Sequence, residues 1–181
     1  MTVFGKERVK IRIIFLISLF IILILQWNCS FGPAINKSKF IKLNVAALAI
    51  KKAIAEGALY QQVAERVQLL SNEMAATKDT VSTREERKLL KAYSDLLEIY
   101  RDGLRLWRYQ MEFPFLSSEL KGRIYVGQDV EPIVHKYRLT TKIHLYKPTG
   151  QYWKSIDEDS ILIIWHNADD QMEIIKNLAN W

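Results

Sequence analysis

Apolar residues recur at spacings of three and four over three long stretches of the chain. In the first, Ile41, Val45, Leu48 and Ala49 begin a stripe that Leu59, Val63, Val67, Leu70 and Met74 continue. This spacing places the residues on one helical face and predicts a helix over about 39–76, bent at Gly57. Residues 78–81 make a turn. Ser82-Thr83-Arg84-Glu85 then reads as a capping box, in which a hydroxyl and a carboxylate satisfy the first free amides of a new helix. Its stripe is Leu89, Tyr93, Leu96, Leu97, Tyr100, Leu104, Trp107 and Met111, and it ends at Phe113, before Pro114. Two long helices joined by a short turn predict an antiparallel hairpin over about 39–113.

Residues 114–154 lack a sustained period and read as irregular. Within them, Asp129 is placed to cap a short helix carrying Val130, Ile133, Val134 and Tyr137, with Pro132 in its first turn. Residues 123–126 read as extended, and Pro148-Thr149-Gly150 as a turn. Asp157, Glu158 and Asp159 suit a helix N-terminus, where negative charge meets the helix dipole. Ile161, Trp165, Ala168, Met172, Ile175 and Ala179 follow at helical spacing, predicting a third long helix over about 155–180.

A different pattern opens the chain. Residues 13–25, IIFLISLFIILIL, hold one polar residue, Ser18, and follow Lys6, Arg8, Lys10 and Arg12. A basic collar before an apolar run of this length is the pattern of a signal peptide. Extended through Trp27 to Phe31, the segment approaches the length that crosses a bilayer. The sole cysteine, Cys29, stands just past the run. Residues 1–30 thus resemble a bacterial lipoprotein signal peptide, which implies that Cys29 is lipidated and becomes the mature N-terminus. The chain departs from that family's pattern in having Gln26, Trp27 and Asn28 before the cysteine, with Leu25 one place too far away. An uncleaved transmembrane anchor and ordinary cleavage remain the alternatives. Residues 1–31 are therefore expected to be a signal peptide or anchor, and 32–181 a single domain outside the cytoplasm, periplasmic or at the cell surface.

Charge adds less than its total suggests. Of the net +6, the collar supplies +3, leaving 22 basic against 19 acidic residues from position 13 onward. A nearly balanced body argues against a nucleic-acid partner. A lone cysteine excludes an intramolecular disulfide and a cysteine-based metal cluster.

Catalytic and cofactor motifs are not found. His135, His144 and His166 are not spaced as a helical metal site, and the chain has neither a Gly-rich phosphate loop nor a Gly-x-Ser-x-Gly elbow. No catalytic residue, metal ligand or cofactor is expected. Two features remain as anion- or partner-binding candidates. Arg101, Arg105 and Arg108 form a stripe on the second long helix. Residues 121–154 interleave cations with aromatics, among them Lys142, Lys147 and Trp153. Against the second stands a plainer reading, in which the aromatics fill a core and the cations meet the acidic C-terminal helix.

The expected fold is all-α: anchor, helical hairpin and third long helix, with an irregular aromatic connection. The expected function is a membrane-anchored module of the cell envelope that presents a helical surface to a protein partner. The alternative is a binding module for anionic envelope polymer or lipid head groups through residues 121–154. An enzyme ranks last.

Overall fold

The computed structural model describes residues 35–112, 122–146 and 149–181, apart from the side chains of Glu112 and Tyr146. The signal or anchor segment, Cys29 and Lys147 lie outside the described residues. The described residues are mainly helical, with five α-helices and a small three-stranded sheet.

Asn36 opens the body by accepting the Ser38 amide at 3.2 Å, which starts a single 3-10 turn, Lys37–Phe40. Helix α1, Ile41–Ala55, continues from it. Gly57 then takes φ +69°, and the amides of Gly57 and Ala58 return to the carbonyls of Ile54 and Ala53. Such a left-handed residue closes a helix. The single bent helix expected over 39–76 is therefore two, α1 and α2, Tyr60–Lys78, packed on each other.

The face of α1 also differs from expectation. Ile41, Val45 and Leu48 are 55%, 61% and 48% exposed, while Leu43, Ala47, Ile50 and Ala53 enter the core. With apolar residues nearly all round, the period did not define an inner side.

Helix α3, Arg84–Glu112, is the backbone of the domain. Its capping box stands one residue later than expected. Thr83 Oγ1 accepts the Glu86 amide at 3.1 Å, and Glu86 accepts the amides of Thr83 and Ser82 at 3.3 and 2.9 Å. Glu85 instead pairs with Lys88 at 2.9 Å. The expected stripe from Leu89 to Leu104 is buried, with Trp107 half-buried and Met111 exposed.

Beyond α3 the expected irregular connection contains a sheet, so the domain is not all-α. Strands β1, Arg123–Tyr125, β2, Thr141–Tyr146, and β3, Gln151–Asp157, pair antiparallel in the order β1-β3-β2. Ile124 stands opposite Ile156, and His144 opposite Trp153. The short helix is α4, Glu131–Tyr137, with Pro132 in its first turn. Its cap is Val130, and Asp129 instead accepts the Tyr109 hydroxyl at 3.4 Å. Helix α5, Ser160–Ala179, follows the period but starts later than the expected residue 155, because residues 155–157 end β3 and Asp159 takes the cap position without a side-chain cap hydrogen bond.

Two apolar cores result. The larger joins Phe40 and Leu43 with Leu70, Tyr93, Tyr100 and Ile175 among the helices. The smaller gathers Leu106, Ile124, Val130, Ile133, Ile156 and Ile164 where α3 and α5 meet the sheet.

Candidate docking groove

The two cationic features of the sequence have different fates. Around the sheet, Arg123, Lys142, Lys154 and Lys136 each meet an acid, while Arg138 pairs with none among the described residues. Arg123 Nη1 binds Asp157 at 2.8 Å, and Lys142 approaches the same carboxylate oxygen at 3.6 Å. Lys154 binds Glu131 at 2.9 Å and holds that carboxyl below its ordinary value. Lys136 and the Tyr137 hydroxyl share Asp102 at 2.7 and 3.0 Å. Burial first, and Asp102 second, raise the Tyr137 phenol well above its ordinary value.

Trp153 stacks on His144, ring centroids 4.1 Å apart, and His144 Nε2 lies 2.8 Å from the buried Ser155 hydroxyl. The acids serving these cations come from β3, α4 and α3. One of them, Asp157, belongs to the acids expected to open the C-terminal helix, so that expectation holds in part, although Asp157 ends β3 instead.

On the hairpin the cations are otherwise placed. A groove of about 570 Å³ runs between α2 and α3 over a floor of Met74, Ala75, Leu90 and Leu97, with the hydroxyls of Ser71 and Ser94 in its walls. Lys78, Arg87, Lys91 and Arg101 rim it. Arg101 continues into a second depression of about 220 Å³, lined by Tyr60, Leu104, Arg105 and Arg108. The expected stripe of three arginines is thus brought together with three further cations that the sequence reading left out.

The signal for two of them, Arg87 and Lys91, was present. Arg87, Ser94, Arg101 and Arg108 are spaced by seven along α3, as are Lys91, Glu98 and Arg105. Seven residues are close to two helical turns, so each set forms a row.

The geometry leaves four of the cations, Lys78, Arg87, Arg101 and Arg105, available. Arg101 donates to the Ser71 hydroxyl at 2.9 Å and Arg87 to the Ser82 carbonyl at 2.8 Å, both neutral acceptors. Among the described residues, no carboxylate pairs with Lys78, Arg87, Arg101 or Arg105. Lys91 alone of the larger groove's rim binds an acid, Asp95, at 2.9 Å, and that contact raises its pKa. No carboxylate lines either depression, although the exposed Glu98 stands within the second row, between Lys91 and Arg105. Cations along an apolar floor can hold a ligand that carries both anionic and apolar groups.

Other chemistry is sparse. Among the described residues, no group of three or more His, Cys, Asp or Glu side chains is placed to hold a metal ion. No described helix is long and apolar enough to cross a membrane. No protein-family model, curated protein or solved structure matches the chain.

Proposed function

We propose that this protein is a membrane-tethered interaction module of the cell envelope, with its body outside the cytoplasm, and that it docks a protein partner in the α2–α3 groove. The N-terminal apolar segment is the tether. The role is binding, without catalysis or a cofactor. One observation carries the docking surface: Lys78, Arg87, Arg101 and Arg105 border an apolar floor with no carboxylate partner among the described residues. Interfaces take much of their binding energy from arginine and buried aromatic anchors, because arginine couples charge to a flat apolar surface.

Photo-crosslinking in intact membranes tests this. A photoreactive residue at Ser94, in the groove wall, is expected to give one discrete adduct. The same residue at Asn167, exposed on α5, is expected to give none. Equal adducts from both positions would refute the groove as the docking surface.

A second reading, binding of anionic polymer or lipid head groups by the sheet, has one observation in its favour. Arg123 Nη2 is buried and has no hydrogen-bond partner. A buried donor left unmade costs about 1–3 kcal/mol, and an incoming anion would satisfy it. Against this, Asp157 already holds Arg123 and Lys142. If the sheet is the site, Lys142→Glu abolishes retention on an anionic polymer. If the groove is the site, that change leaves docking intact.

A further inference from the structure

We infer that the occupant of the α2–α3 groove is an acidic amphipathic helix of a partner protein, laid lengthwise along α3; this rests on the docking role proposed above. Length is the first argument. From Arg87 to Arg108 the helix rises about 32 Å at 1.5 Å per residue, which a partner helix of about 20 residues would match.

Period is the second. Leu90, Leu97 and Leu104 are also spaced by seven, with Leu90 half-buried and only the edges of the core residues Leu97 and Leu104 reaching the depressions, so apolar floor and cationic rows share one repeat. A partner helix with an apolar seam and carboxylates at seven-residue intervals keeps both in register over this length. A polymer recognised by charge alone would leave Met74, Ala75 and Leu90 in the floor without a partner. An acyl chain needs enclosure, whereas the groove is open along its outer side.

The test uses the full-length chain in detergent micelles and a fluorescent synthetic peptide of about 20 residues. The peptide has leucines along one face and glutamates every seventh residue, so that its length matches the groove. Binding is read by anisotropy. The peptide is expected to bind, and Arg101→Glu with Arg105→Glu to weaken it by more than about tenfold, since like charges at an interface are costly. A peptide with lysine in place of each glutamate should reverse that order, binding the variant better than the parent. Recovery by the swapped peptide also shows that the variant is folded.

Equal binding of the two peptides by the parent protein would overturn the inference. So would equal binding of a proline-interrupted peptide that cannot form a helix, or competition by anionic phospholipid vesicles alone. A dimer in mass photometry that disappears in the charge-reversed variant would make the occupant a second copy of this chain, and would overturn it too. If Ser94 still crosslinks a partner in membranes while the peptide neither binds nor competes, the acidic helix is wrong and the docking surface stands. If Ser94 gives no adduct and the peptide does not bind, both fail.

Discussion

Lys39, in the turn that leads into α1, sets its ammonium 2.9 Å from both carboxylate oxygens of Glu86, in the first turn of α3. The same carboxylate accepts the backbone amides of Ser82, Thr83 and Asn36. One buried acid therefore caps the long helix and fastens the start of the described body to it.

That arrangement sets a pH dependence. The Ser82 amide first, and the Lys39 ammonium second, lower the Glu86 carboxyl from 4.5 to about 2. A carboxyl depressed by folding contributes its stability above its unfolded value. That contribution is lost as pH falls from about 4.5 through about 2. Denaturant melts should show stability level from pH 7 to 5 and declining below. Glu86→Gln should flatten the decline, and Glu86→Ala should cost about 1–3 kcal/mol at neutral pH. An unchanged acid limb in Glu86→Gln would show that Glu86 is not its source.

Gly103 lies in the middle of α3, where alanine would ordinarily gain about 1 kcal/mol of helix propensity. Here a Cβ would meet the indole ring of Trp165 from α5 at less than contact distance. Overpacking of this kind costs about 1–3 kcal/mol, so the clash outweighs the propensity. Gly103→Ala should lower the melting temperature and shift the near-ultraviolet signal of Trp165. A higher melting temperature would mean that α3 and α5 pack more loosely than described.

Leu97 is 5% exposed and belongs to both the helical core and the groove floor. Leu97→Ala should destabilise the domain by about 2–5 kcal/mol in chemical denaturation. A loss below about 0.5 kcal/mol would be the value of an exposed substitution and would place Leu97 outside the core.

The proposed tether is tested at its centre. Each arginine there costs about 2.5–3.5 kcal/mol of insertion, so Leu19→Arg with Ile22→Arg should release the protein from membranes or block its export. An unchanged membrane fraction would contradict the tether. Intact mass of the purified protein distinguishes a chain starting at Met1 from one starting at a lipidated Cys29.

The long helices were legible because their core faces are strictly periodic. The stripe from Leu89 to Leu104 is buried as its spacing requires, and α5 follows its own period through Ala179. Where apolar residues crowd all sides, as in α1, the period could not choose a face. Gly57 marked an interruption, but a bend and a chain reversal share that residue.

The hairpin of β2 and β3 was missed for a different reason. Ile143, Leu145 and Tyr152 alternate with polar residues on either side of the turn at Gly150, which is a hairpin signal. They face outward, at 67%, 46% and 74% exposure, while Ile156 enters the core at the far end of β3, so the alternation and the core contact lie apart.

Of the candidate site, the row of Arg101, Arg105 and Arg108 was legible as helical spacing. The contribution of Lys78 was not, because it depends on α2 lying against α3. Nor could the sequence show that Asp157, Glu131 and Asp102 take up the sheet's cations, since those pairs join residues 15 to 34 positions apart.

Crosslink yield from Ser94 in membranes, compared between the parent protein and the Arg101→Glu, Arg105→Glu variant, tests the docking groove most directly. Both arginines are exposed, so their reversal should move the melting temperature little, as surface changes shift stability by about 0.5 kcal/mol or less. The expected result is a discrete adduct in the parent and its loss in the variant at unchanged melting temperature. An adduct of equal yield in both proteins would contradict a partner held by the α2–α3 cations.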